Sequence, residues 1–154
     1  MATNLTLKGS IKPLKNGLNK MAKDIASPTV YMKKASIELY KWVQRNFNSE
    51  GALVGHGKKW KPLALGGRLK KDGSIDITAM ILQDEGTLKS SFYSFSSKNL
   101  AGVASELEYS INHDQGIGVP QRRILPTEDE GWKIVEPLFR VALNKIAKYI
   151  PDRS

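Results

Sequence analysis

Apolar residues recur at helical spacing twice in this chain, once on each side of a central region with a different pattern. Met32, Ala35, Leu39, Val43 and Phe47 fall three or four positions apart, widened by Tyr40 and Trp42, while Lys33, Lys34, Lys41 and Arg45 lie largely off the stripe. That spacing predicts an amphipathic helix over Pro28–Asn48 with its apolar side on a core. Ser27-Pro28 opens it, because serine can cap free amides and proline is tolerated at the first helical position. Near the C-terminus Trp132, Val135, Leu138, Phe139, Ala142, Ile146 and Tyr149 repeat the period up to Pro151. Thr127 and Glu130 form a capping box ahead of them, and Glu128, Asp129 and Glu130 complement the helix dipole. Pro137 inside the run predicts a kink or a one-turn offset.

Between the two helices the pattern turns β-like. Phe92, Tyr93 and Phe95 among serines, then Lys98-Asn99, then Leu100–Leu107 predict a hairpin of Ser91–Ser97 with Leu100–Leu107, the best sheet signal in the chain. The stretch Glu106–Leu125, ELEYSINHDQGIGVPQRRIL, follows. In it Tyr109, Ile111 and His113 alternate like a strand end or sit on one side of a short helical turn, until Gly116, Gly118 and Pro120 break regular structure. Pro120 holds its own φ and restricts Val119, so Arg122 and Arg123 are presented from a stiff segment that suits a partner surface. At the other end, Leu7, Ile11, Leu14, Leu18 and Met21, interrupted by Gly17, predict only a marginal basic helix or arm over 1–26. The expectation is a single α+β domain with its core in 27–150, in which a long N-terminal and a C-terminal helix pack on a small antiparallel sheet.

Length and composition fit that expectation. The 154 residues are 40% apolar and 25% charged, ordinary for one globular domain. No run approaches the roughly 18 apolar residues of a membrane span, and MATNLTLKGS lacks the apolar centre of a signal peptide, so a soluble cytosolic product is expected. With no cysteine, disulfides and thiolate metal sites are excluded, and only His56 and His113 could offer imidazole.

Charge changes the picture more. The formal net charge is +9, yet residues 1–73 hold 15 Lys/Arg against 4 Asp/Glu, and residues 74–154 hold 9 against 11. An asymmetry of this size points to an acidic neighbour for one face, nucleic acid or protein. Much of it lies in residues 51–73, a stretch with six glycines and the six basic residues Lys58, Lys59, Lys61, Arg68, Lys70 and Lys71. Long loops in compact domains are functional or disordered, and Trp60 with Pro62-Leu63 offers an anchor that could pin this one to the core. The phosphate-loop spacing fails, with Ala52 where its first glycine belongs and Lys59 where its hydroxyl belongs. A clasp on nucleic acid by phosphate contact and stacking stays open.

Catalytic sets are not evident. Glu106 and Glu108 share a strand face, which a solvated edge explains. Ser110, His113 and Asp114 carry triad letters within five residues, whereas triads are assembled from separated segments. No enzyme, cofactor or metal is expected.

Four local patterns in order carry a resemblance: GKKWKPL at Gly57–Leu63, ILQDEGTLKSS at Ile81–Ser91, YSINHDQG at Tyr109–Gly116 and VPQRRIL at Val119–Leu125. Over about residues 28–150 the chain resembles the Mu-type virion morphogenesis proteins, which overlap the P2-type tail completion proteins of contractile-tailed phages. Trp60, Pro62 and Leu63 match the first family pattern, and Leu82, Gly86, Leu88 and Ser91 the second. Tyr109, His113 and Gly116 match the third, and Pro120, Arg122 and Leu125 the fourth. Ser110, Asp114, Arg123 and Ile124 depart from it. Arg122 holds the pattern's arginine, so the resemblance implies that the stiff backbone aims it at one acceptor and that Arg123, in place of a proline, is dispensable. The resemblance implies a small α+β structural protein without enzymatic activity. It would act in tail completion and head–tail joining at the neck or tail terminator, in a virion assembled in the host cytoplasm. Its expected partners are neck and tail proteins and further copies in a homo-oligomeric ring, with a hexamer expected. Tyr109, His113, Pro120, Arg122, Arg123 and Trp60 are then the candidate interface, and the basic loop admits weak non-specific contact with DNA. The alternative is a cytosolic nucleic-acid-binding module using the basic N-terminal half.

Overall fold

The computed structural model of the chain describes residues 28–54 and 57–147. The predicted helix or arm over residues 1–26, His56 and the end of the C-terminal stripe lie outside the described residues. Helix α1, Pro28–Asn48, has the predicted bounds. Its stripe is the centre of the core: Leu39, Val43 and Phe47 are fully buried and Met32 and Ala35 nearly so, while Lys33, Lys34, Lys41 and Arg45 face solvent.

Strands β1 (Arg68–Leu69) and β2 (Ile75–Asp76) pair antiparallel in a small ribbon built partly from the long basic stretch. A one-turn helix α2, Thr87–Ser90, leads into β3 (Phe92–Ser97) and β4 (Leu100–Ser105), the predicted hairpin, with Phe92 opposite Ser105 and Ser97 opposite Leu100. The pairing stops two residues short of the expected Leu107. Ser105 is the cause: its Oγ accepts the Leu107 amide at 3.1 Å and contacts the Ser91 hydroxyl at 2.7 Å, which turns the chain away. Strand β4 is almost wholly buried and β3 is mostly exposed beyond Phe92.

Helix α3, Ser110–Gln115, resolves the alternatives left for Tyr109–His113 in favour of a helical turn. It ends at Gly116, whose φ of 76° lets both its own amide and that of Ile117 reach the Asn112 carbonyl. Helix α4, Glu128–Ala147, begins at the predicted capping box, with the Thr127 amide on Glu130 Oε2 at 2.8 Å and the Glu130 amide on Thr127 Oγ1 at 3.3 Å. It continues through Pro137, which stands on an exposed side. The hairpin packs on one side of α1 and α4 also packs against α1, with Val135 and Phe139 joining the core.

The fold is α+β, with four helices and two two-stranded antiparallel sheets among the described residues. Among the described residues, helix α1 is the element against which β3, β4 and α4 all pack. Among the described residues no helix is long and apolar enough to cross a membrane.

Candidate functional site

The C-terminal end of α1 is where the segments of the four patterns meet. Asn46 is fully buried beside Phe47, and its Nδ2 donates to the main-chain oxygens of Arg123 and Ile124, both at 3.1 Å. Trp60 donates its indole Nε1 to the same Arg123 oxygen at 3.0 Å and stands edge-on to Phe47 at 5.6 Å. The long stretch is therefore pinned through Trp60, which is only 6% exposed. Gly51 makes room for the indole: a Cβ there would lie 2.2 Å from the ring, and the residue has a φ of +86°.

Glu50 holds the entry to this stretch. Its carbonyl accepts the Trp60 amide, its Oε2 pairs with Lys59 at 2.9 Å, and its Oε1 accepts the Ile81 amide at 3.0 Å. The Ile81 amide, followed by Lys59, holds the Glu50 carboxyl below its ordinary range.

The fourth pattern is clamped from the third. Asp114 Oδ1 accepts the amides of Ile124 at 2.7 Å and Leu125 at 2.9 Å, and the His113 carbonyl accepts the Arg122 amide at 2.7 Å. Arg122 itself is 7% exposed, and its Nε and Nη2 both reach the Lys61 carbonyl, at 3.4 and 3.3 Å. Arg123 is equally engaged: its Nη2 pairs with Glu130 Oε1 at 2.8 Å and donates to the Val54 carbonyl at 3.3 Å. Burial tends to raise the Glu130 carboxyl, but the Thr127 amide and Arg123 outweigh it and hold it low. Each arginine thus tethers a different part of the 51–61 stretch, Arg122 at Lys61 and Arg123 at Val54.

Beside this joint lies an open cleft of about 500 Å³, lined by Arg68, Leu82, Asp84, Leu88, Tyr109 and His113 among others. Arg68 crosses it, with Nη1 3.0 Å from Asp84 Oδ1 and Nη2 3.1 Å from the Met80 carbonyl. Tyr109 is 44% exposed and edge-on to His113 at 6.3 Å. Burial, then the nearby Arg122 charge, lowers the His113 pKa, so the ring is neutral at pH 7, with a buried Nδ1 that has no hydrogen-bond partner among the described residues.

The six expected interface residues do not form one surface. Trp60, Arg122 and Arg123 belong to the internal joint, Tyr109 and His113 line the cleft, and Pro120 is exposed. Of the basic residues, Lys59, Arg68 and Lys70 are paired with Glu50, Asp84 and Asp76, whereas Lys58, Lys61 and Lys71 are exposed and have no ion pair among the described residues. Asn46, Glu50 and Asp114 were missed by sequence reasoning as organising residues. For Asn46 a signal existed, a polar side chain between Val43 and Phe47 on the apolar stripe. Chemically the arrangement is a set of fixed hydrogen bonds joining loops. Among the described residues no group of three His, Asp or Glu is placed to hold a metal ion.

No family model, no curated protein and no solved structure matches this chain.

Proposed function

We propose that this protein is a structural, non-enzymatic component of a phage tail or neck, acting in tail completion and head–tail joining as a ring of copies within the virion. The observation that supports this reading is the convergence of the four patterned segments on the end of α1. Trp60 and Lys61 of the first, Leu88 of the second, His113 and Asp114 of the third and Arg122–Leu125 of the fourth are bonded or packed together there. Four patterns that agree in order and also close into one joint make a rigid block. A joining piece needs such a block, because its contacts must be presented at a fixed geometry to succeed without chemistry. The test is assembly in the absence of the protein. Filled heads and separate tails are expected, and intact infectious particles would overturn the reading.

A second reading, a module binding nucleic acid, is favoured by Lys58, Lys61 and Lys71, which are exposed and have no ion pair among the described residues. It requires duplex binding that is independent of sequence and falls steeply with salt, as counterion release demands. Titration of the purified chain with unrelated duplexes at two ionic strengths tests it, and absence of duplex binding at the lower one overturns it.

A further inference from the structure

The β1–β2 ribbon leaves the wrong side uncovered for a lone surface hairpin. Leu69 and Ile75 are cross-strand partners, and they are 60% and 44% exposed; Ile77, just beyond, is 80% exposed and Leu65, just before, 57%. The other pair in the register, Arg68 and Asp76, is half-buried, with Arg68 turned onto Met80 and Asp84. A hairpin on a monomer's surface keeps its apolar side in and its polar side out; this one does the reverse. Two-stranded ribbons are marginal in water, and contiguous apolar exposure on one marks a contact surface.

Charge defines the covering surface. Residues 57–80 carry six basic side chains against two acidic ones, so the complement is acidic around an apolar centre. The chain carries that complement itself. On α4, Glu128, Asp129, Trp132 and Glu136 are spaced to share one helical face, and residues 128–136 hold four acids against one lysine. Trp132 is 39% exposed and stacked on Phe139 at 5.9 Å, which fixes its ring. Because both surfaces are exposed, they do not cover each other within one chain.

We propose that the β1–β2 ribbon of one copy seats on the Glu128–Asp129–Trp132 face of the next copy, with Leu69, Ile75 and Ile77 on Trp132 and with Lys70 and Lys71 toward the acids. The two surfaces differ, so the contact is heterologous: every copy keeps one face of each kind, and repetition closes a ring if the rotation allows. This names the self-contact of the ring proposed above and rests on that reading for its setting. The experiment uses purified full-length chain without any particle, so the contact can fail while the tail role stands, and the reverse.

Two variants are needed, Leu69→Asp with Ile77→Asp on the ribbon and Glu128→Lys with Asp129→Lys on α4, all at exposed positions. In sedimentation velocity over a concentration series, the unaltered chain self-associates, less so as salt rises. Each variant alone associates at least about tenfold more weakly. Their equimolar mixture forms a one-to-one dimer and nothing larger, because each retains one competent face. An unaltered chain that stays monomeric to its solubility limit overturns the proposal, and so does a mixture that stays monomeric while the unaltered chain associates. Thermal melts check folding; if a double variant melts early, Ile77→Asp alone carries the ribbon arm.

Discussion

Trp60 donates its indole hydrogen to the main-chain oxygen of Arg123 across 3.0 Å, joining residues 63 positions apart in the chain. Asn46 reaches the same oxygen from α1, so one carbonyl links the long helix, the basic stretch and the segment that opens α4. An N–H to C=O bond contributes about 1 kcal/mol net, but an unmade one inside a core costs about 1–3.

Trp60 separates the hydrogen bond from the packing. Trp60→Phe keeps most of the ring against Phe47 and loses the donor, and a loss of about 1–2 kcal/mol is expected in denaturant unfolding. Trp60→Ala also empties the site and is expected to lose about 3–5 kcal/mol. Equal effects from the two substitutions would show that the donor, and not the ring, holds the stretch.

Gly51→Ala tests the space beside that ring. The new Cβ would fall 2.2 Å from the indole at a φ of +86°, so the ring must leave or the turn must unwind. A loss above about 1 kcal/mol is expected, with a red shift in tryptophan emission as Trp60 becomes wetter. Gly57→Ala is the control: its φ is also positive, but a Cβ there meets nothing within 4 Å.

Arg122 and Arg123 are expected to act on the stability of the single chain. Arg122→Ala leaves the buried side of the Lys61 carbonyl without its donors, and a loss of about 1–3 kcal/mol follows. For Arg123 the partner is Glu130, and both side chains are roughly a quarter to a third exposed, so solvent screening limits their coupling to about 0.2–1 kcal/mol in a double-mutant cycle. Normal monomer melting with failed assembly for Arg122→Ala would reverse this assignment and make it an interface residue.

His113 and Glu50 make stability fall with acid in two separate windows. His113 has a folded pKa below its ordinary value of 6.5, so the unfolded chain binds the proton first and stability is lost as pH falls below about 6.5. Glu50 has a folded pKa below its ordinary value of 4.5, and its contribution is complete above that value and is lost as pH falls through the folded one. Melting temperature against pH should therefore decline in two stages. His113→Gln should flatten the first stage alone, and Glu50→Gln should reduce the second without abolishing it, because Glu130 is held low as well; an unchanged first stage in His113→Gln would show that the histidine does not cause it.

Local signals carried the large elements. The stripe from Met32 to Phe47, the Thr127/Glu130 capping box and the run of β-formers around the Lys98-Asn99 turn each lie within one element. Their period and end chemistry could be read without knowing any neighbour, and α1, the β3–β4 hairpin and α4 stand where those signals put them. The anchor offered by Trp60 was legible for the same reason, as an aromatic isolated in a glycine-rich basic stretch.

Tertiary structure decided the rest. The two-residue strands β1 and β2 and the short helices α2 and α3 have too few local bonds to announce themselves, and they exist where distant groups hold them. Arg68 is held by Met80 and Asp84, Gln44 of α1 donates to the Lys89 carbonyl of α2, and the Arg122 amide bonds to the His113 carbonyl of α3. Which carbonyl a buried asparagine or arginine finds depends on chain segments roughly 60 to 80 residues away. The family pattern set Arg122, which holds its arginine, above Arg123, which stands in place of its proline, while the fold gave each a partner. Arg68, bonded to Met80 and Asp84, turned the polar side of the β1–β2 ribbon inward and left Leu69 and Ile75 outside, an orientation that alternation along four residues could not specify.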